Sequence, residues 1–324
     1  MPRLALIGAF GGLMCLAARP ALAQQVFESL GSRALGMGGA FVAVANDGSA
    51  AFWNPAGIAL SPKGSLDIEW VRFQTGDRDQ PPAPGPTTRS SSFATFGSSN
   101  FNLSYASLQG TDLAATANGT VADLLKTTQY GATVLQSVSR GVILGSTLKL
   151  VRGYAASEAA VGPTGSNALS QVTSLQGQTV TRFDFDVGLM VDMKQLRLGL
   201  SAKNLEEPTF PEPGGTAFTL HRQVRGGIAI LPTSGLTLAL DLDLETIDLR
   251  GGPRRIVAFG GEDRLSQRFA LRAGLRWSVT GERQLVGSAG VSVALRPGAW
   301  IDGHYTQGGI DGDRGFGIAL RVGS

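Results

Sequence analysis

Apolar and polar residues alternate strictly over residues 235–245, where leucine occupies every second position. The residues between the leucines are threonine, alanine, aspartate and glutamate, so a strand here has one aliphatic face and one face rich in carboxylates. The same alternation recurs over 183–192, 196–203 and 269–277. A strand of this kind needs water on one side and an apolar environment on the other, which is typical of a transmembrane barrel strand.

The alternation predicts an all-β fold, a transmembrane antiparallel β-barrel of about fourteen strands. The predicted strands are 65–74, 89–97, 99–110, 127–139, 141–154, 179–193, 195–205, 218–231, 235–247, 253–264, 267–278, 283–296, 298–306 and 313–322. Long links are predicted after the first, third, fifth and seventh strands, at 76–88, 111–126, 155–178 and 206–217. Short turns follow most even-numbered strands. Because outer-membrane barrels have short periplasmic turns and long outer loops, both chain ends are predicted on the periplasmic side.

A soluble β-sandwich or lipocalin-like barrel is the alternative, since alternation alone does not say which face is inside. A closed soluble barrel is well filled at about eight strands, whereas a wider barrel leaves a lumen. Charged side chains opposite the apolar face can point into that lumen and form a salt-bridged, water-filled interior. The charges predicted to face the lumen are Asp184, Asp186, Asp241, Asp243, Glu245, Arg268, Arg272 and Arg276.

The first residues predict an export signal over residues 1–23. Arg3 supplies the positive start, 4–16 is an apolar run too short to span a membrane as a helix, and 21–23 offers small residues for cleavage. The mature chain should then begin at Gln24. The chain has one cysteine, Cys15, and it lies within the signal. The exported protein would therefore lack disulfides, thiolate metal sites and cysteine nucleophiles.

The charge balance argues against a nucleic-acid partner. Of the 28 Lys and Arg residues, Arg3 and Arg19 belong to the predicted signal, and the remainder nearly match the 25 Asp and Glu residues. His221 and His304 are the only histidines, and they lie on different predicted strands, so neither a metal site nor a cofactor is predicted. No nucleophile-elbow motif occurs. We therefore expect no enzymatic activity, with an outer-membrane lipase or deacylase as a minor alternative.

The stretch between the signal and the first strand has a different composition. Residues 24–64 are rich in glycine and alanine and mostly lack the two-residue period. This divides the chain into a signal peptide at 1–23, a plug or hatch segment at 24–64 and a barrel at 65–324. Small residues let such a segment lie close to the inner wall of a barrel.

Residues 31–59 resemble the N-terminal signature shared by the FadL-type transporters of hydrophobic compounds and the PorV/PorQ family. The resemblance rests on the Gly-Met-Gly-Gly-Ala run at 36–40, the following Asp47, and Trp-Asn-Pro-Ala-Gly at 53–57. It implies a fourteen-stranded outer-membrane barrel whose N-terminal segment folds inward as a plug.

The expected function is gated, diffusive uptake of hydrophobic small molecules across the outer membrane. Phe41, Phe52 and Trp53 are predicted to pack on apolar wall patches or on a solute, and Asn54 with Pro55 to act in gating or simply to form a turn of the plug. The main alternative is a PorV-like partner in protein secretion. The expected partners are outer-membrane lipid, a hydrophobic small molecule or a secreted protein, and the outer-membrane assembly machinery.

Overall fold

The computed structural model describes residues 26–75, 87–116, 119–159, 177–212, 217–249, 252–281, 285–308 and 314–324. Within these ranges fourteen antiparallel strands form a closed barrel, which confirms the predicted fold class. Its strands are β1 (Ser65–Thr75), β2 (Thr87–Gly97), β3 (Phe101–Thr116), β4 (Gly119–Ser139), β5 (Val142–Ala159), β6 (Val180–Asp192), β7 (Leu196–Lys203), β10 (Gln223–Ile230), β11 (Leu236–Asp243), β14 (Ile256–Asp263), β15 (Phe269–Ser278), β16 (Leu285–Arg296), β17 (Ala299–Gly308) and β18 (Arg314–Gly323). Two short hairpins connect barrel strands, and they consist of β8 (Thr209–Pro211), β9 (Ala217–Thr219), β12 (Ile247–Leu249) and β13 (Gly252–Arg254). The barrel closes where β1 pairs with β18.

The two faces of the wall differ as the alternation predicts. On β11 the side chain of Leu240 is 45% exposed, whereas that of Asp241 is 1% exposed because it points into the barrel. Exposed leucine, isoleucine, valine and aromatic side chains recur around the outside of the barrel. An apolar surface that encircles a protein needs an apolar environment around it.

The two ends of the barrel have different connections. Tight turns at 98–100, 140–141 and 193–195 join strands at what we call the short-turn end. Gly64 pairs with Ser324 at this same end, so the barrel begins and finishes there. The opposite, long-loop end carries the links between β1 and β2 and between β5 and β6, parts of which lie outside the described residues.

One predicted long link is wrong. Residues 111–126 continue the β3–β4 pairing without a break up to Thr116 opposite Gly119. The outward positions of β3 change from apolar residues to Ser107 and Gln109 partway along the strand. The hydrophobic alternation therefore fades while the backbone pairing persists, because strands can extend beyond an apolar band.

The predicted link at 206–217 also differs from the structure. It contains β8 and leads into β9, and this hairpin packs Phe210 and Phe218 against Leu125, Val151 and Ala155 on the inner wall. The barrel strand predicted to start at residue 218 begins only at Gln223, because the intervening residues belong to the hairpin.

Residues 26–62, here called the inner segment, lie inside the ring of strands. They form 3-10 helices at Phe27–Ser29 and Pro55–Leu60 and short α-helices α1 (Ser32–Gly36) and α2 (Ala50–Trp53). Helix α1 contacts β15 to β18 and β1, and the helix at Pro55–Leu60 contacts β4 to β6. The inner segment therefore contacts the inner wall in two different parts of the barrel. In the described ranges no helix has the length and hydropathy needed to cross a membrane. The predicted signal peptide lies outside the described residues.

Candidate functional site

The aromatic residues of the inner segment form its own core. Phe41, Phe52 and Trp53 are buried, and the rings of Phe27, Phe41 and Phe52 surround that of Trp53 at centroid distances of 5.9, 5.9 and 6.4 Å. The Trp53 indole N–H donates to the carbonyl oxygen of Leu30 at 3.1 Å, so its one polar atom is satisfied. These residues therefore pack on one another, within a buried cluster that also includes wall residues such as Phe93 and Leu108.

Asn54 joins the inner segment to β6. Its Nδ2 donates to the carbonyl oxygens of Val42 at 2.9 Å and Leu189 at 3.1 Å, and its Oδ1 accepts from the backbone N–H of Ala56 at 3.2 Å. The last bond caps the 3-10 helix, in which Pro55 takes the first position, where its missing N–H costs nothing. Asn54 is thus both a helix cap and a contact with the wall.

Three carboxylates of the inner wall bind the backbone of the inner segment. Asp241 accepts from the N–H groups of Phe41 and Val42, both at 2.8 Å. Asp67 accepts from Gly48 at 2.6 Å. Buried backbone N–H groups need acceptors, and these inward-facing carboxyl groups supply them.

The third carboxylate is Glu69, which accepts from the N–H groups of Gly31 and Ser32. Gly31 has a φ of 99°, a left-handed conformation that suits glycine and turns both N–H groups toward the same wall residue. Asp67 and Glu69 were missing from the predicted site. The alternation Leu66, Asp67, Ile68, Glu69 already carried the signal, because it puts both carboxylates on one face.

Arg33 forms the strongest ionic contact between segment and wall. Its Nε and Nη2 atoms donate to the two carboxylate oxygens of Glu262 on β14 at 2.7 and 2.6 Å, and Nη1 donates to Asp47 at 2.9 Å. Burial alone would lower the pKa of Arg33, but Glu262 and Asp47 raise it above its ordinary value. Arg33 therefore stays charged in its buried position, and its bidentate geometry fixes the direction of α1.

Glu28 makes a second buried ionic contact. It lies 2.7 Å from Arg225 on β10 and 2.9 Å from Arg254 on β13. Burial would raise the pKa of the Glu28 carboxyl, but Arg225, Arg254 and Arg276 hold it well below its ordinary value. The start of the inner segment is thus held as an anion between cations of the wall.

The structure brings six of the eight predicted lumen charges to the inner wall. Asp184 and Asp186 each lie 2.7 Å from Lys149, Asp243 lies 2.6 Å from Arg225, and Arg272 lies 2.5 Å from Glu262. Arg276 is also buried.

The other two predicted lumen charges do not line the interior. Glu245 follows the end of β11, where alternation no longer sets direction, and it pairs with exposed Arg222 at 3.0 Å. Arg268 is exposed in the short turn before β15.

On β2 to β5 the inner wall carries apolar side chains among polar ones. Phe93, Ala106 and Leu108, on β2 and β3, belong to the same buried cluster as the core of the inner segment. Toward the long-loop end, Leu125, Val151 and Ala155 on β4 and β5 form a second buried cluster beneath the β8–β9 hairpin. We call these six residues the apolar strip.

The short-turn end has a polar cavity of about 350 Å³. Its lining includes Asn46 and Asp47 of the inner segment, and Arg264, Trp300 and Arg321 of the barrel. The polar cavity thus adjoins the inner segment at the short-turn end, whereas the apolar cluster beneath the β8–β9 hairpin lies toward the long-loop end.

The described residues contain no group of three His, Cys, Asp or Glu side chains arranged to hold a metal ion. His304 is buried on the inner wall, and its ring lies 6.3 Å from that of Phe73. His221 is exposed 3.4 Å from Glu207. The two histidines are thus in different environments: His304 is buried on the inner face of the wall, and His221 is exposed beside a loop.

Comparison with known proteins gives one family match. The model for the family described as "F plasmid transfer operon, TraF, protein" matches residues 86–243. The match covers just under half of the chain and excludes the inner segment and the last barrel strands. No curated protein sequence matches the chain.

Solved structures match far more of the chain. The CymD monoaromatic hydrocarbon channel has a TM-score of 0.66 at 12% identity, with 91% of this chain and 98% of that chain covered. The Ralstonia pickettii toluene transporter TbuX has a TM-score of 0.64 at 14% identity, with 92% and 99% covered. A Pseudomonas aeruginosa FadL homologue has a TM-score of 0.61 at 12% identity, with 93% and 98% covered. At such identities the likeness concerns the fold, which is that of the FadL-type barrels.

Proposed function

We propose that this protein is an outer-membrane channel, and not an enzyme, through which hydrophobic small molecules enter by gated diffusion. The observation that carries the proposal is the packing of the inner segment, an aromatic core that fills the barrel and faces an apolar strip on the wall. A barrel of this width has an open lumen unless something fills it. The inner segment acts as the plug.

The outer surface supports the location. Exposed apolar side chains alternate with buried polar ones along the strands, which suits a wall with lipid outside. The short-turn end, where the barrel begins and finishes, faces the periplasm in this arrangement. The chain reaches the membrane through an export signal and the outer-membrane assembly machinery.

The proposed route starts at the apolar strip, which is covered in this structure by the β8–β9 hairpin and the inner segment. When these move aside, a hydrophobic solute exchanges water for apolar contacts there, at about 25 cal/mol per Å² of buried apolar surface. The route ends at the polar cavity of the short-turn end. Between them the inner segment must shift.

The contacts of the inner segment make such a shift feasible. The hydrogen bonds accepted by Asp67, Glu69 and Asp241 and the one donated by Asn54 are each worth about 0.5–3 kcal/mol net, because water replaces the lost partner. The ion pairs of Arg33 and Glu28 must also open, and their charges then reach water or the polar cavity. The wall keeps its own hydrogen bonds throughout, since they close between strands. Gating therefore needs no unfolding of the barrel.

The solved structures with this fold suggest which solutes to test. Two of those compared are described as a monoaromatic hydrocarbon channel and a toluene transporter. Monoaromatic hydrocarbons are therefore the first class of solute to try with this chain. A PorV-like role in protein secretion is the competing hypothesis, and it requires a bound protein rather than a solute route.

Deletion of residues 26–62 tests the plug. The truncated barrel should still fold, and in planar bilayers it should show large, steady conductance where the intact protein is nearly silent. Equal conductance of the two proteins would contradict the proposal.

Uptake is tested in whole cells, because hydrophobic compounds cross simple bilayers unaided. Cells that lack other channels of this kind should take up the hydrophobic dye N-phenyl-1-naphthylamine faster when they produce the intact protein. Val151→Asp, which places a charge on the apolar strip, should abolish the gain, and Val151→Ala should largely keep it. No gain with the intact protein, together with a stoichiometric copurified protein, would favour the secretion role.

A further inference from the structure

The outer surface of the barrel has an apolar groove of about 710 Å³. It runs where β1 meets β2 and β18, on the outward side of the wall. Its outward-facing lining is Ile68, Trp70, Ser92, Ala94, Tyr105, Leu295, Ile301, Ile318 and Leu320. The groove has the volume of a site for a drug-sized ligand, roughly 300–1,000 Å³.

Small side chains on β2 create the groove. Ser92 lies opposite Trp70 in the β1–β2 register, and Ala94 lies opposite Tyr105 in the β2–β3 register. Two large rings thus stand on either side of two small residues, and the strip between them is recessed. Most other outward positions of this band carry large apolar side chains.

Two arginines border the groove toward the long-loop end. Arg72 is the next outward residue after Trp70 on β1, and Arg314 is the next outward residue before Phe316 on β18. Because Arg72 lies opposite Phe316, and Arg314 is two residues from Phe316, the arginines are diagonal neighbours, about 7–8 Å apart at their backbones.

Both arginines are exposed on the outward face of the wall. Among the described residues no acidic side chain forms an ion pair with either of them, and the carboxylates of β1, Asp67 and Glu69, point inward. Below them the rings of Trp70 and Phe316 meet edge to face, with centroids 5.5 Å apart. Aromatic residues of this kind mark the boundary between hydrocarbon and headgroups.

We propose that this groove binds an anionic phosphate-bearing lipid of the outer leaflet, with the phosphate at Arg72 and Arg314 and one acyl chain along Trp70 and Ala94. Two residues of strand span about 7 Å, which matches the step from the aromatic boundary to a headgroup. Guanidinium groups bind phosphate through paired N–H donors. The proposal rests on the proposed membrane location of the barrel.

The groove supplies its own reporter. Trp70 lines it, and bromine atoms on a lipid chain quench tryptophan fluorescence at contact. The barrel is reconstituted in phosphatidylcholine vesicles that contain a small fraction of brominated phosphatidylglycerol or of brominated phosphatidylcholine. The Trp70 signal is the difference between the wild type and Trp70→Phe, since the chain has 4 tryptophans.

The brominated anionic lipid should quench Trp70 at about one tenth of the concentration that the zwitterionic lipid requires, because each basic residue near a membrane surface attracts anionic lipid. Arg72→Gln with Arg314→Gln should remove the preference. Arg268→Gln, in an exposed short turn, should keep it. Ser92→Leu, which fills the recess, should weaken quenching by both lipids.

Three results would overturn the lipid site. They are equal quenching of the wild type by both lipids, an unchanged preference in the double arginine variant, and loss of the preference on addition of inorganic phosphate alone. Quenching by neither lipid would overturn the membrane location as well. A preference in the absence of any uptake activity would instead leave the lipid site standing and contradict only the channel.

Discussion

Replacement of Asp241 by alanine should unseat the inner segment without harming the barrel. Asp241 is 1% exposed, and its Oδ2 accepts hydrogen bonds from the N–H groups of Phe41 and Val42, both at 2.8 Å. Alanine leaves these two N–H groups buried and without an acceptor. The pairing of β11 with β10 and β14 uses backbone atoms only and is unaffected.

The magnitude follows from the two orphaned donors. A buried N–H without a partner costs about 1–3 kcal/mol, so the seated state should lose about 2–6 kcal/mol relative to an unseated state in which water binds both groups. A tenfold change in an equilibrium corresponds to about 1.4 kcal/mol. Even the lower limit therefore raises the unseated population about thirtyfold.

Single-channel recording in planar bilayers measures this population as the fraction of time in a conducting state. Asp241→Asn keeps an oxygen acceptor, so it should raise the fraction of time in a conducting state much less than Asp241→Ala does. The neighbouring Leu240→Arg is the matched control for the opposite face, because it should destabilise the folded barrel by about 2–4 kcal/mol near the middle of the bilayer and leave the closed state intact. If Asp241→Ala stays as silent as the wild type, the carboxylate does not hold the segment.

Three further predictions concern other contacts of the inner segment. The folded pKa of Glu28 lies below its ordinary value, so Glu28 stabilises the seated state fully at pH values above the ordinary Glu pKa of about 4.3. This contribution is lost as the pH falls through the folded pKa. Conductance should therefore rise on acidification, and Glu28→Gln should make the conductance less dependent on pH. Gly188→Val should raise conductance because its side chain would overlap Asn54, whereas Gly226→Val, which meets only a leucine side chain at ordinary contact distance, should not. Trp53→Ala should cost about 3–5 kcal/mol in the core of the segment and give a protease-sensitive N terminus with an intact, heat-modifiable barrel.

The number and approximate positions of the barrel strands could be predicted from the sequence because each strand has an apolar environment on its outer face and a more polar one on its inner face. In a pair such as Leu240 and Asp241, the apolar residue faces outward and the charged residue faces the interior, so the residue types indicate which face each side chain lies on. The same reasoning failed over 111–126, where the alternation fades while the backbone pairing of β3 with β4 persists. A hydrophobic pattern therefore does not predict the strand ends that lie beyond the apolar band.

The roles of the aromatic residues were harder to predict. Phe41, Phe52 and Trp53 were expected to contact the wall or a solute, and the structure gathers them around one another. A short segment without periodicity does not say which of its apolar residues face inward, because no regular element fixes their directions. Their contact with Phe27 depends on the turns between them, which only the fold determines.

Glycines of the barrel wall lie where the backbone of the inner segment packs closely against it. A glycine inside a strand weakens it, and is expected where another backbone approaches closely. At several inward positions an added Cβ would collide with the inner segment, chiefly with its backbone, and these positions are Gly145, Gly188, Gly199, Gly260 and Gly274. Gly38 approaches from the other side with a φ of 71° and lies against the backbone of Leu275. These glycines leave room for the backbone of the inner segment along the inner wall, at a cost in strand stability. Five inward-facing glycines on β5, β6, β7, β14 and β15 thus mark, in the amino-acid sequence itself, where another backbone approaches the wall.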